Sequence, residues 1–418
     1  MNVHDSEKMS GALKSEGYIE TDDPKGADII IFNTCSIREK AEQKFFSKLG
    51  RLKSLKKRKP SLKIAVAGCI AQQEREKIFQ RTPYIDCVIG PQNLHLLAGL
   101  TRIQGHAVAC DENPSLAEAD FDIDRKDRIK AWVTIMYGCD NYCSYCIVPY
   151  TRGREKSRPS EKIISEIEGL AREGFKEITL LGQNVNSYRS DIDFTGLLQR
   201  INNISGIERI RFVTSHPKDI SVDLIFAMRN LHKVCQHIHL PLQSGSSRIL
   251  HLMNRKYSYE DYLRKIEILR NVMPDISITS DIIAGFPQET DKDHSLTIRG
   301  LKEIAFDGIF AFNYSPRVGT RAAELSGHVE DDVKSERLYE ILDVQNAITD
   351  MKNKALVDTI QEVLLEPSGI KGNSKLTGRT RSNKIVNMPV CVQPGSSDLV
   401  RVRIVKAHRH SLDGIIQK

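Results

Sequence analysis

Trp132–Cys146 reads WVTIMYGCDNYCSYC, a short apolar strand run that ends in three cysteines, Cys139, Cys143 and Cys146, spaced C-x3-C-x2-C. Three thiolates on one tight loop can each ligate a corner of a cubane iron–sulfur cluster, for which cysteine is the usual ligand. The next cysteine along the chain is Cys235, so one iron of such a cluster would stay open to chelate a small molecule. Zinc fits less well. Structural zinc is closed by four ligands, usually as paired C-x2-C units, and here a fourth ligand would have to come from far along the chain.

Outward from this loop, strand-like runs recur with helical stretches between them: EITLLGQNV (177–185), RIRFVTS (209–215), QHIHLPLQ (236–243), ISITSDIIAGFP (276–287) and GIFAFNYSP (308–316). Six strands with helical crossovers predict a parallel, barrel-like sheet over residues 125–355, partial because eight units are not available. Chemistry in such sheets sits at the carboxyl ends of the strands, where Cys139, Gln183, Ser215, His216, Gln243 and Gly285 fall.

Residues 1–115 alternate DIIIFNTC (28–35), KIAVAGC (63–69) and DCVIGP (86–91) with helical patterns, which predicts a small α/β sandwich of buried parallel strands. Asp5 and Ser6 read as an N-cap for EKMSGALKSEGY, so this segment opens on a helix where a strand is usual. Cys35 and Cys69 each end a strand and should share one edge of that sheet. They could begin a second metal site or be free thiols. Cys87 and Cys391 read as small core residues, and Cys110 and Cys235 carry no assignment. Pro114–Arg128 reads as a linker.

Residues 356–418 change character. TIQEVLLE, KLTGRT, KIVNMPVCV and LVRVRIVKAH, separated by Gly, Pro and Ser turns, predict a small β-barrel. Lys354–Lys418 holds eleven Lys/Arg against five Asp/Glu, leaving 50 against 49 elsewhere, so nearly all of the formal charge of +7 is here. A basic barrel on an otherwise neutral chain is how a nucleic-acid-binding appendage looks. Elsewhere, Lys53–Lys63 is a second basic run, readable as an RNA contact or as a helix end.

Length bounds the whole at two or three domains. No apolar run approaches the roughly 20 residues that span a bilayer, and the N-terminus shows no apolar signal, so a cytoplasmic protein without a membrane partner is expected. Nine cysteines in 418 residues point to metal binding or chemistry, not to a secreted disulfide scaffold.

MYGCDNYCSYCIVPYTRGREKSRP (136–159) resembles the cluster loop of radical S-adenosylmethionine enzymes, specifically the methylthiotransferases. LLGQNVNSY, HLPLQSGS and DIIAGFPQET are similar to further motifs of that family, and NTCSIREKAEQK is similar to its tRNA-modifying branch. The last segment resembles the TRAM RNA-binding domain. The resemblance covers essentially the whole chain. It implies an α/β multidomain enzyme: an N-terminal α/β sandwich, a partial (β/α) barrel core and a TRAM-like barrel. The implied reaction adds a methylthio group to C2 of N6-isopentenyladenosine beside the tRNA anticodon.

Two [4Fe–4S] clusters are implied. One, on Cys139, Cys143 and Cys146, binds S-adenosylmethionine and cleaves it to a 5′-deoxyadenosyl radical. The other, on Cys35 and Cys69, handles the sulfur, and a second S-adenosylmethionine gives the methyl group. Tyr145 would pack near the adenine, and Gly182, Gln183, Gln243, Ser244 and Gly285 would hold the nucleoside or simply serve the turns at the strand ends. Arg152, Arg154 and Arg158 would neutralise a phosphate or carboxylate near the cluster, or be solvated. Arg379, Arg381, Arg401, Arg403 and Lys406 are the RNA candidates, with the target base flipped outward. An electron-donor protein of the flavodoxin or ferredoxin type and a monomeric chain are expected.

The family's first cysteine lies in a G-C-Q-M-N run whose last two residues align with Met1-Asn2 here. A start site further upstream is therefore expected, with a true two-cysteine site as the competing reading. A sister branch that methylthiolates an aspartate of a ribosomal protein, and a non-catalytic iron–sulfur RNA-binding protein, are the alternative functions.

Overall fold

The computed structural model describes residues 1–34, 39–366, 375–389 and 398–417; for residues 39–44 and Lys375 it describes the backbone alone. Cys35 and Cys391 lie outside the described residues. The chain divides into two compact units. One comprises Met1–Lys126, Met136–Tyr142 and Cys146–Pro159; the other comprises Asp127–Ile135, Cys143–Tyr145 and Ser160–Lys418.

In the first unit, β1 (Ile29–Thr34), β2 (Lys63–Gly68), β3 (Cys87–Ile89) and β4 (Ala107–Ala109) form a parallel sheet in that order. The central β2 is apolar along its length because both its faces are covered. Ile64 and Val66 pack with Phe45, Leu49 and Ile78 on one side, and Ala65 and Ala67 pack with Met9, Leu94 and Leu97 on the other. β4 adds a fourth strand to the three legible runs. At three residues it is too short to show a pattern.

The opening helix spans Asn2–Lys14 with Met1 as its N-cap and no side-chain cap. Asp5 is therefore inside the helix and buried, not the cap that its residue type predicted. Its carboxylate has a stronger partner than an orphan backbone N–H, namely the buried Arg152 guanidinium at 2.7 Å.

In the second unit, β5 (Lys130–Thr134), β6 (Glu177–Leu181) and β7 (Arg209–Phe212) form one parallel sheet. A second is formed by β8 (His237–His239), β9 (Ser277–Ala284) and β10 (Gly308–Asn313), and an isolated bridge pairs Ile210 of β7 with Val234, three residues before β8. These are the six strands of the expected partial barrel. Amphipathic helices cover their outer face. Ser160–Arg172, for example, buries Ile163, Ile164, Ile167 and Leu170 at helical spacing.

β11 (Ile360–Glu366), β12 (Lys375–Thr380), β13 (Ile385–Pro389), β14 (Leu399–Ala407) and β15 (Leu412–Ile416) close a five-stranded barrel in the order β11-β12-β13-β15-β14. Alternation along β14 sends Val402 and Ile404 into the barrel core and leaves Arg401, Arg403 and Lys406 exposed.

The barrel docks on the core through polar groups. Arg209 and Arg211 project from one face of β7. Arg209, with no exposed side-chain surface, donates to Glu362 Oε1 at 2.8 Å, Glu362 O at 3.0 Å and Arg379 O at 2.8 Å. Arg211 donates to Thr380 O at 2.7 Å and Arg381 O at 3.0 Å. Two of the RNA candidates are engaged as well, Arg379 inside the barrel and Arg381 across to the core. Arg379 pairs with Glu366 at 2.9 Å, and Arg381 reaches the carbonyls of His232 and Val234 at 2.7 and 2.8 Å.

Candidate active site at the three-cysteine loop and the strand ends

Sharp local geometry shapes the cysteine loop. Gly138 has φ +70°, and a Cβ there would lie 1.9 Å from Arg154 O, so only glycine fits. Cys139 N–H donates to Gly153 O at 3.2 Å. Tyr142, midway along the loop, takes a left-handed φ of +47°.

Within the second unit, Ser144 fixes the loop from three directions. Its N–H donates to Met253 O at 3.0 Å, its Oγ donates to Leu252 O at 2.8 Å, and its carbonyl accepts from Ala322 N–H at 2.7 Å. Cys143 is buried, with the Arg255 guanidinium 3.3 Å from its sulfur. Tyr145 packs its ring against the cluster of Ile249, Met253 and Phe286, and its hydroxyl accepts from Arg255 at 3.3 Å.

None of the seven described cysteines is in a disulfide. Among the described residues no three His, Cys, Asp or Glu side chains close on a common point. The fit to a cluster therefore rests on donor chemistry. Cys139, Cys143 and Cys146 are three thiols outside any disulfide within eight residues, and a buried cation stands beside one of them. That donor set fits a three-thiolate iron–sulfur site.

The strand ends carry a second signature. Gln183 Oε1 and Asn184 Oδ1 after β6, Ser215 Oγ and His216 Nε2 after β7, and Asn313 Oδ1 and Tyr314 OH at the end of β10 are buried without a hydrogen-bond partner. Each such atom costs about 1–3 kcal/mol. Several at the carboxyl ends of one parallel barrel are what a polar ligand site requires. Thr214, β-branched yet at φ +66°, ties two of these ends together through Oγ1 to Gly182 O at 2.6 Å.

Burial, then the nearby Arg255 and Lys218 charges, push His216 down to about 2, so its ring is neutral. Nδ1 accepts from Lys218 N–H at 3.2 Å, which leaves the ring hydrogen on Nε2. The site therefore offers a neutral donor at this position.

Other sequence-derived candidates have structural duties. Gln243 adopts φ +71° and bridges to Ile282. Gly285 has φ +70°, and a Cβ there would meet Lys334 Cγ at 2.2 Å. Its N–H donates to Glu289 Oε1 at 3.1 Å. Ser244 is an internal brace, its Oγ 3.4 Å from Thr297 Oγ1 and accepting from Ser246 N–H at 3.2 Å. Asn184, Asn313 and Tyr314 were not singled out in the sequence, although the strand-end rule that found Gln183 reaches them. Arg255 lies on no strand end and gives no sequence signal.

In the first unit, Cys69 opens the short helix Cys69–Glu74 directly after β2 and is 5% exposed. Arg152 is buried and donates to Asp5 Oδ2 at 2.7 Å and Asn2 Oδ1 at 3.3 Å, so its guanidinium is paired and not solvated. Cys87 and Cys110 are core thiols, each pushed up to about 11 chiefly by burial. Within the basic run, Lys56 pairs with Asp86 at 2.9 Å and Lys59 with Asp28 at 2.8 Å, leaving Lys53, Lys57 and Arg58 exposed.

Residues 1–90 match the family described as "Uncharacterized protein family UPF0004", and residues 133–299 match the Radical SAM superfamily. The chain is 56% identical over 418 residues to a tRNA-2-methylthio-N(6)-dimethylallyladenosine synthase of Thermodesulfovibrio yellowstonii, covering 100% of this chain and 96% of that one. This chain belongs to that family. A synthase of the same name from Clostridium botulinum is 48% identical over 424 residues, covering 99% of this chain and 94% of its own. Among solved structures, the radical S-adenosylmethionine methyltransferase TsrM of Kitasatospora setae, with cobalamin and a [4Fe-4S] cluster bound, superposes with a TM-score of 0.56 at 14% identity, over 76% of this chain and 73% of that one. At that identity the likeness shows the fold alone.

Proposed function

We propose that this chain is a tRNA methylthiotransferase that adds a methylthio group to C2 of N6-isopentenyladenosine near the anticodon. The observation that carries the proposal is the 56% identity over all 418 residues, through sandwich, core and barrel together, to a synthase named for that product.

Cys139, Cys143 and Cys146 would hold a [4Fe–4S] cluster, and Cys35 with Cys69 would hold a second. With S-adenosylmethionine, such cofactors supply the radical chemistry that an inert aromatic C–H bond demands. The chain's own residues position and shield. Tyr145 contributes an apolar ring beside the loop. The unpartnered acceptors Gln183 Oε1 and Ser215 Oγ would take donors of the nucleoside or of S-adenosylmethionine. His216 Nε2–H would give a hydrogen bond without delivering a proton. The left-handed turns at Thr214, Gln243 and Gly285 set backbone groups at the same strand ends.

On the barrel, Arg401, Arg403 and Lys406 would contact tRNA phosphates. Arg379 would brace the barrel internally through Glu366, and Arg381 would hold the barrel on the core. A flavodoxin- or ferredoxin-type electron donor, a monomeric chain and a cytoplasmic location complete the reading. Consistent with that location, no helix among the described residues is long and apolar enough to cross a membrane.

Nucleoside mass spectrometry of tRNA from a deletion strain tests the reaction. Loss of the 2-methylthio form with accumulation of N6-isopentenyladenosine is expected, and an unchanged methylthio level overturns the proposal. Iron counting after anaerobic reconstitution tests the sites. Wild type should hold about eight irons, falling to about four when Cys139, Cys143 and Cys146 are all changed to Ala. About four falling to none would remove the second cluster from the proposal.

A further inference from the structure

Arg255, in the loop after the helix Ser247–Leu252, is 4% exposed. Its Nη1 donates to Cys143 Sγ and Tyr145 OH, both at 3.3 Å, Nη2 donates to Pro241 O at 3.0 Å, and Nε donates to Tyr257 OH at 2.9 Å. The guanidinium carbon also lies 5.2 Å from the centre of the Tyr257 ring. Among the described residues, none of these partners is a carboxylate. A buried cation without a counter-charge is costly, so this position is built for an anion. Tyr257 stays protonated, pushed up to about 12 by burial. Cys143 is the partner that becomes an anion when it ligates metal.

The inference rests on the reading that Cys139, Cys143 and Cys146 hold a cluster. We propose that Arg255 is the fixed counter-charge of that cluster and raises its reduction potential. A cubane held by thiolates carries net negative charge, and taking up one electron increases it. A guanidinium hydrogen-bonded to a ligand sulfur stabilises the reduced form more than the oxidised form. Hydrogen bonds to the sulfurs and local charge are the protein's means of setting such potentials. Arg255 is thus a positioning residue that acts through the Cys143 sulfur.

The test uses the full chain in a Cys35→Ala/Cys69→Ala background, so that one cluster loads. It is reconstituted anaerobically with iron and sulfide and titrated against a chemical reductant, with the reduced cluster read by electron paramagnetic resonance. Arg255→Gln is expected to make reduction at least tenfold less favourable, a 59 mV drop for one electron. Arg255→Lys, which keeps the charge, should recover part of that shift. Equal potentials for all three proteins at equal iron content would overturn the proposal.

A second measurement leaves Arg255 in place. In the Cys35→Ala/Cys69→Ala protein labelled with 15N at the arginine guanidinium, the reduced cluster should show hyperfine coupling to a nitrogen at hydrogen-bond distance, and its absence overturns the proposal even where Arg255→Gln fails to fold. If the background protein binds no iron, the three-cysteine reading falls and takes this inference with it.

Discussion

His216 and His237 show how much one residue's surroundings decide. Both are buried and neutral, His216 held down to about 2 and His237 to about 3, with desolvation the first cause in each and the neighbouring Arg211 charge the second at His237. A histidine near its ordinary value in the unfolded chain binds a proton below about pH 6.5, whereas these two do not until far lower. The unfolded state therefore takes up more protons in that window, and stability falls as pH drops through it. Each group contributes a slope of up to about 1.4 kcal/mol per pH unit. We expect urea unfolding to weaken steeply from pH 6.5 to 5, and His237→Gln to flatten the slope measurably. An unchanged slope would mean that His237 is charged in the fold. Gly138 is decided just as locally. Its left-handed φ of +70° and the Arg154 carbonyl 1.9 Å from any Cβ predict that Gly138→Val loses iron loading, read by iron counting.

Among elements, β7 and the barrel form the most informative pair. Arg209 and Arg211 occupy alternate positions on one strand, so both guanidinium groups reach the same side and meet β11 and β12. Arg209→Met would leave the Glu362 and Arg379 carbonyls without their donor. Glu362 is 44% exposed, so its own carboxylate can rehydrate, and the expected loss is about 3 kcal/mol. Urea unfolding measures it, and limited proteolysis of the barrel reports whether docking has loosened. A loss below about 0.5 kcal/mol would show that the polar dock is weak. Of the RNA candidates, Arg379 and Arg381 have close partners inside the unit, and we expect them to contribute little to RNA binding. They lie in a basic stretch, but carboxylate and carbonyl partners hold their side chains within the unit.

For the molecule as a whole, the excess charge concentrates on one small barrel. Exposed cations that neutralise phosphates make affinity fall with salt. Arg401→Ala and Arg403→Ala should each lower the slope of log affinity for tRNA against log salt by about 0.7–1, with little effect on stability. Arg379→Ala and Arg381→Ala should instead cost stability and leave that slope nearly unchanged. Binding assays across a salt series separate the two pairs, and equal slopes for all four variants would place RNA elsewhere.

Sandwich strands, the six-stranded core and the small barrel were legible from residue pattern alone, because apolar runs of strand length, helical periodicity and turn residues are local properties. The sequence also pointed to the chemistry proposed for the loop, since the spacing C-x3-C-x2-C is a local pattern that suits cluster ligands without tertiary context. It pointed to Gln183, Ser215 and His216 by the rule that parallel barrels expose their carboxyl ends. Which charges are paired became visible only once the chain was folded. Asp5 became a buried partner of Arg152, Ser244 a brace on Thr297, and Arg381 a docking group on the His232 and Val234 carbonyls, because each depends on a residue distant in sequence. Arg255 stayed silent for the same reason: it lies 112 residues from Cys143, and only folding brings its charge to that sulfur.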